Sequence, residues 1–127
     1  MKKEIKLIAL LFSILLLVAC GGGDDGPPPN SAPTTVTQVT FPTADLLCID
    51  NTINFQWNAS TDADGDAITY RIIIATDREL NNVIENRITS TNSITITLQQ
   101  GVAYYWSVTA FDSEGQEAEA SPTLAFF

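Results

Sequence analysis

The sequence predicts an all-β fold, a seven-stranded antiparallel sandwich, and two observations carry that prediction. Along Tyr104–Ala110 the even-numbered positions hold bulky or apolar residues suited to a core. Such alternation, rich in aromatic and β-branched residues, is typical of a strand that buries one face. Similar short segments recur along residues 34–127, with turn-forming residues between them about every 8–12 positions. No segment of that region shows a helical period, and the bulk of the inner face predicts that Tyr104–Ala110 is central.

The strands are expected, in order, at residues 34–41, 52–58, 67–76, 83–88, 93–98, 104–110 and 118–127, with Pro42 ending the first. The same alternation predicts which side chains point inward. They are Ile53, Phe55, Trp57, Ile68, Tyr70, Ile72, Ile74, Ile94, Ile96, Leu98, Tyr104, Trp106, Val108, Ala110, Leu124 and Phe126.

The sixth strand and its approach resemble a fibronectin type III domain, a sandwich of the immunoglobulin kind. Leu98 precedes a tight loop and Tyr104 follows it by six residues. In that family the tyrosine opens the strand and its hydroxyl bonds back to upstream backbone. Trp57 and Tyr70 match the family's tryptophan and tyrosine on the second and third strands. Trp106 stands where immunoglobulin domains carry a disulfide cysteine, so the resemblance implies a sandwich without that disulfide. The inward phase of both tryptophans favours a core role over a ligand platform.

Residues 1–19 are expected to be a lipoprotein signal peptide. Met1–Lys6 is basic, and Leu7–Ala19 is an apolar run of about 20 Å as a helix, too short for a hydrocarbon core of ~30 Å. Leu17–Cys20 resembles a bacterial lipobox. The resemblance implies cleavage before Cys20, a diacylglycerol on its sulfur and a further acyl chain such as palmitate on its amine, which together anchor stably. The alternatives are a signal peptide with a chance cysteine and an uncleaved anchor.

Residues 20–33 are expected to be the lipidated cysteine and a linker, and residues 34–127 the domain. The linker is rich in Gly, Asp and Pro and cannot form a core, so it is a spacer. Gly21 after the cysteine resembles outer-membrane lipoproteins, and the acidic pair Asp24 and Asp25 resembles signals for the cell surface. The expected location is therefore the outer membrane, through the lipid anchor, with the acidic pair favouring surface exposure.

Charge and composition exclude several functions. The net charge is −9, and removing residues 1–19 leaves three arginines against fourteen acidic residues. Nucleic acid is therefore excluded as a partner, since phosphate neutralisation needs basic clusters. The sequence has no histidine, so it can have no histidine-based triad or metal site. We expect no enzyme but a non-catalytic binding or adhesion module for an envelope protein or glycan. The alternative is a structural spacer or a subunit of a larger outer-membrane complex.

Cys48 would be the only thiol once Cys20 is acylated. One interpretation is a dimerising or reactive cysteine in an exported, disulfide-permitting setting. The other, which the apolar neighbours Leu46, Leu47 and Ile49 favour, is a small buried apolar residue.

The loop after the second strand carries Asp62, Asp64 and Asp66 around Gly65. Closely spaced carboxylates repel one another unless something binds them, and calcium takes six to eight oxygens in proteins. Calcium is the only cofactor that the sequence suggests, and the alternative is an Asp-Gly turn with solvated charges. Strand directions place this loop at the same end of the sandwich as the linker and the acidic residues after the sixth strand, Asp112, Glu114 and Glu117.

A candidate partner face is formed by Ile73, Tyr105 and Phe111, which lie on the outward phase of the third and sixth strands. A cluster of exposed apolar residues can mark a partner site. The alternative, favoured here because scattered exposed apolar residues are normal, is cross-strand pairing on a solvated face.

Overall fold

The computed structural model describes residues 23, 26–47 and 50–127, which form two antiparallel sheets. The strands are β1 (Val39–Phe41), β2 (Thr52–Trp57), β3 (Ile68–Ala75), β4 (Val83–Thr89), β5 (Ser93–Thr97), β6 (Tyr104–Asp112) and β7 (Leu124–Phe126). One sheet has the order β1-β2-β5 and the other β4-β3-β6-β7. The prediction of a seven-stranded all-β sandwich is confirmed. Across these ranges, the chain forms no helix of the length and hydropathy that membrane crossing requires.

β6 is central, as its alternation predicts. It pairs with β3 from Ile68 opposite Asp112 to Ala75 opposite Tyr105, and with β7 on its other side. Its even-numbered side chains, including Trp106, are buried. A strand flanked on both edges and covered on one face explains why its inner positions are so bulky.

The core lies between the sheets and is dominated by aromatic side chains. Trp57 and Trp106 are each 1% exposed, so both are core residues and not ligand platforms. The ring of Phe55 meets Trp106 edge to face at 4.9 Å between centroids, and Trp57 meets Tyr70 in the same way at 5.4 Å. Edge-to-face pairs add stability beyond the apolar area that they bury. Of the inward residues predicted, Ile68, Ile94 and Leu124 pack at the margin of this core and the others are buried.

β1 is shorter than the predicted strand at 34–41. Before Val39 the chain leaves the ladder: the N–H of Thr34 donates to the carbonyl of Thr61, in the loop after β2, at 2.8 Å. Val36 nevertheless reaches the core and is 1% exposed. Pro42 follows the strand directly, as predicted, and has no N–H to continue the ladder.

β7 is likewise shorter than the predicted strand at 118–127. The hydroxyl of Ser121 accepts the N–H of Val108 at 2.9 Å, where a strand would offer a backbone carbonyl. Pro122 follows and has no N–H to donate. The segment before it therefore runs beside β6 through isolated contacts, such as the bond from the Ala118 N–H to the Ala110 carbonyl.

Candidate functional site

The loop between β2 and β3 is organised by the carboxylate of Asp62. Its Oδ1 accepts the backbone N–H groups of Asp64 at 2.8 Å and Asp66 at 3.1 Å. Gly65 turns the chain at φ +82°, a conformation that glycine adopts without strain. The start of the loop is held against β3 by a hydrogen bond, in which the N–H of Ser60 donates to the Tyr70 hydroxyl at 2.8 Å. This is the Asp-Gly turn chemistry that the sequence suggests.

The turn after β6 is organised in the same way by Asp112. Its Oδ1 accepts the N–H groups of Glu114 at 2.9 Å and Gln116 at 2.8 Å, and Gly115 turns at φ +93°. Its Oδ2 accepts the side-chain amide of Asn30 at 2.8 Å. Two aspartate-centred turns thus lie next to each other at one end of the sandwich.

The two turns bring three carboxylates together. One oxygen from each of Asp62, Asp66 and Asp112 lies within 4.8 Å of the other two, and we call this group the acidic cluster. Asp64, which the sequence grouped with the first two, points elsewhere: its Oδ2 accepts the N–H of Ser31 at 2.7 Å. The end of the linker is thereby held at the same pole, as the strand directions predict. Asp112 takes the place of Asp64 because β6 delivers it beside Ile68, at the start of β3.

The electrostatics of the cluster differ from residue to residue. Burial and the negative charges of Asp62, Glu114 and Asp112 raise the pKa of Asp66. Burial acts in the same direction on Asp112, but hydrogen bonds from Gln116, Asn30 and Glu114 outweigh it and lower the pKa of that carboxyl.

The second carboxylate oxygen of Asp62, Oδ2, differs from Oδ1 because it accepts no hydrogen bond from the described residues. This oxygen is buried. Three carboxylates with one such oxygen can share a proton or hold a divalent cation. They supply three of the six to eight oxygens that calcium takes, so loop carbonyls and water would have to supply the rest. Calcium binding stays a prediction.

The predicted partner face is interrupted by arginines. Tyr105 and Phe111 lie on the outer face of β6 and Ile73 on that of β3, where it pairs with Ser107. The Arg78 guanidinium lies 5.6 Å from the ring centre of Tyr105, and Arg71 lies 5.3 Å from that of Phe111. Arg71 also forms an ion pair with Glu117 at 3.1 Å. Each aromatic ring is thus covered by its own arginine, and the two rings do not form one continuous apolar surface.

A groove of ≈ 360 Å³, which the sequence analysis did not predict, opens where the edge strands β1 and β7 meet the end of β2. Its apolar floor is formed by Val39, Pro122 and Leu124. Its polar lining consists of hydroxyl and amide side chains: Thr37, Gln38, Thr40 and Asn58. The Asn58 amide donates to Gln38 Oε1 at 2.7 Å, which fixes the orientation of both amides. Pairing of β1 with β2 creates this lining, so no local motif could have indicated it.

Several predictions concern residues outside the described part of the chain. These are the signal peptide at 1–19, the lipidation of Cys20, the acidic pair Asp24 and Asp25, and the role of Cys48. They stay predictions. The domain boundary at residue 34 also stays one.

The fold defines a class: an immunoglobulin-like module of the fibronectin type III kind, which confirms that part of the resemblance. Residues 37–127 match the model of the Rha78A-like, N-terminal immunoglobulin domain, and the chain belongs to that family. No curated protein matches the chain.

Solved structures show the same fold. A Fn3-like protein from Clostridium thermocellum is 24% identical with a TM-score of 0.53, covering 77% of this chain and 92% of that one. A chitinase from Bacillus thuringiensis is 27% identical with a TM-score of 0.57, covering 80% of this chain but 15% of the chitinase. An α-L-rhamnosidase from Dictyoglumus thermophilum is 18% identical with a TM-score of 0.53, covering 72% and 12%. In those two enzymes the matched part is a small fraction of a much longer chain.

Proposed function

We propose that this protein is a non-catalytic glycan-binding module that a lipid on Cys20 holds at the outer membrane. The observation that carries the binding role is the groove beside β1. Its volume falls within the range of about 300–1,000 Å³ that small-molecule sites occupy. Hydroxyl and amide side chains are the groups that hydrogen-bond sugar hydroxyls without needing a charge on the ligand. The apolar floor of Val39, Pro122 and Leu124 offers contact to the C–H faces of a sugar ring.

Two further observations support a glycan. The family is named for an N-terminal domain of Rha78A, and two of the similar structures are a chitinase and an α-L-rhamnosidase. A module found in enzymes that act on carbohydrate is suited to binding carbohydrate itself. A net charge of −9 disfavours anionic partners and leaves neutral polysaccharide as a suitable one.

The proposal includes the absence of catalysis. Of the clustered carboxylates, those of Asp62 and Asp112 accept backbone N–H groups of their own turns, and Asp66 joins through its own backbone N–H, which donates to Asp62. They lie at the pole of the sandwich and do not line the groove. A protein ligand, or a purely structural role as a spacer or subunit of a membrane complex, is the alternative.

The test is binding of the full chain to insoluble chitin, purified peptidoglycan sacculi and a rhamnose-containing polysaccharide. Co-sedimentation should retain the protein on at least one of them, and Gln38→Ala with Asn58→Ala should lower the retained fraction about tenfold. Thr95→Ala, at an exposed position on β5 away from the groove, is the matched control and should bind as the wild type does. Retention that the groove variants leave unchanged, or no retention on any of the three, would contradict glycan binding and favour the protein or structural alternative.

A further inference from the structure

β4 is the longest edge strand in the described part of the chain. It lies at the end of the order β4-β3-β6-β7, and with seven residues it is longer than the other edge strands β1, β5 and β7. The outer N–H and C=O groups of an edge strand are a template for another strand. Large apolar side chains stand exposed along it: Val83 and Ile84 are 42% exposed and Ile88 is 60% exposed.

The residues of this edge are complementary to themselves. In the sequence Ile84-Glu85-Asn86-Arg87-Ile88, an isoleucine stands two residues from Asn86 on each side, and opposite charges stand directly beside it. If two copies lie antiparallel with Asn86 opposite Asn86, Glu85 faces the second copy's Arg87 on both sides of the axis. Ile84 then faces the second copy's Ile88. A two-fold interface must be self-complementary in this way, because the same patch serves both subunits.

The register within the sheet puts these pairs on opposite faces. Glu85 lies opposite Ile74 and Arg87 opposite Ile72, so both charged side chains share the face of the inward-pointing isoleucines. Asn86 lies opposite Ile73 and belongs to the outer face. The ladder runs without irregularity from Glu85 to Thr89, and the bulge falls at Ile84, between Glu85 opposite Ile74 and Val83 opposite Ala75.

The charges are already placed for such pairing. Arg87 Nε donates to Glu85 Oε2 within the strand at 2.8 Å, and the two side chains are 57% and 24% exposed. In a pair of copies, Glu85 and Arg87 of each strand would give four charges of alternating sign, and each charge would have a partner of opposite sign. Edge strands that avoid pairing commonly carry lysines or inward-pointing charges. Glu85 and Arg87 are inward-pointing charges, but they have opposite signs and stand in the order in which antiparallel self-pairing places each beside its opposite.

We propose that two copies of this chain pair antiparallel through β4, about a two-fold axis at Asn86, to form one continuous eight-stranded sheet. The occupant of the edge is a second copy because the charge order Glu-Asn-Arg fits its own reverse. The ion pairs select the register, since a shift of two residues would set Arg87 against Arg87 or Glu85 against Glu85, and like charges repel.

The test is disulfide cross-linking of the full chain. Asn86→Cys is introduced in a Cys20→Ser, Cys48→Ser background, and mild oxidation is followed by non-reducing electrophoresis. Directly opposed residues of antiparallel strands have Cα atoms about 4.5–5.5 Å apart, within the range that a disulfide spans. The matched control is Thr95→Cys, exposed at the centre of the β5 edge. We expect a disulfide dimer from Asn86→Cys at a yield at least about tenfold above that from Thr95→Cys.

Charge reversal then tests the register. Adding Glu85→Arg, or adding Arg87→Glu, makes both cross-strand pairs like-charged and should lower the dimer yield about tenfold. Adding both exchanges the charges and should restore it. Melting temperatures confirm that each variant is folded. Equal yields at residues 86 and 95, single reversals without effect, or no recovery in the double variant would overturn the proposal. A disulfide of Asn86→Cys to a different protein in place of the dimer would also overturn it, and would assign the edge to that partner.

Discussion

The hydroxyl of Tyr104 is bonded twice to the backbone of Gln99. It donates to the Gln99 carbonyl and accepts the Gln99 N–H, each at 3.1 Å. The bonds close the turn that leads from β5 into β6, and Gly101 within this turn has φ +73°. This is the tyrosine corner that the resemblance to fibronectin type III domains implies at this position.

Removing this hydroxyl should destabilise the domain. Tyr104→Phe keeps the aromatic ring but leaves the Gln99 N–H and C=O without their hydrogen-bond partner. The residue is buried, with 4% of its surface exposed, so water cannot readily replace the lost hydroxyl. We expect a loss of about 1–3 kcal/mol in the free energy of unfolding, measured by denaturant titration. Tyr105→Phe is the control, because the Tyr105 ring lies beneath Arg78 on the outer face of β6. Equal losses in the two variants would contradict the role of the corner.

The two faces of β6 should respond differently to truncation. Trp106→Ala removes a side chain that is 1% exposed and contacts Phe55, and should cost about 3–5 kcal/mol in the free energy of unfolding. Tyr105→Ala, on the outer face beneath Arg78, should cost clearly less. Chemical denaturation of both variants checks this. A larger loss for Tyr105→Ala would reverse the assignment of the faces.

These elements show what the sequence could predict. Period-2 alternation identified the inward residues of β2, β3, β5 and β6, because each buries one face against the other sheet. The ends of β1 and β7 were not predictable by that pattern. They depend on the hydroxyl of Ser121 replacing a backbone acceptor and on the bond between Thr34 and Thr61, which are distant in the chain.

The candidate sites divide in a similar way. Strand directions were enough to place Asp112 at the pole of Asp62 and Asp66. They could not show that Asp64 turns away to Ser31, because that depends on the hydrogen bonds within the loop. The groove could not be found from sequence either, since its lining comes from three separated segments. The arrangement of Ile84–Ile88 is visible in the sequence, but it gains meaning only once β4 is known to be an edge.

The acidic cluster predicts a calcium-dependent stability. If calcium binds the folded state alone, it stabilises the domain by about 2.7 kcal/mol at a hundred times Kd, and millimolar calcium is a suitable concentration. At constant ionic strength, calcium should raise Tm, and Asp66→Asn should reduce that shift. Asp64→Asn should leave the shift unchanged, because Asp64 lies outside the cluster.

Magnesium is the control for this measurement, since it requires tighter octahedral geometry and loses water reluctantly. Equal shifts with calcium and magnesium would indicate charge screening alone. That result, or no shift with either ion, would leave the loop as a turn without a metal.

Asp77 predicts a dependence of stability on pH. The N–H groups of Asn81 and Asn82 donate to its carboxylate at 3.0 Å and 2.6 Å and lower its pKa. A carboxyl with a lowered pKa contributes stability that is present above its unfolded value of about 3.9 and is lost as the pH falls through the folded value. The Tm of Asp77→Asn should therefore lie below that of the wild type at pH 7, and the two should converge in acid below pH of about 4. Glu79→Gln, an exposed change in the same turn, is the control and should show no such convergence. A difference in Tm between Asp77→Asn and the wild type that stays constant with pH would contradict the role of the Asp77 carboxylate.

The proposed function requires that the module is held at the envelope, and this depends on Cys20. Mass spectrometry of the protein purified from the membranes of its own cells tests that claim directly. The account predicts a mature N-terminus at Cys20 with fatty acyl chains attached, and a Cys20→Ala variant that is uncleaved or released from the membrane. Retention of residues 1–19, or an unmodified Cys20 in the native protein, would contradict it.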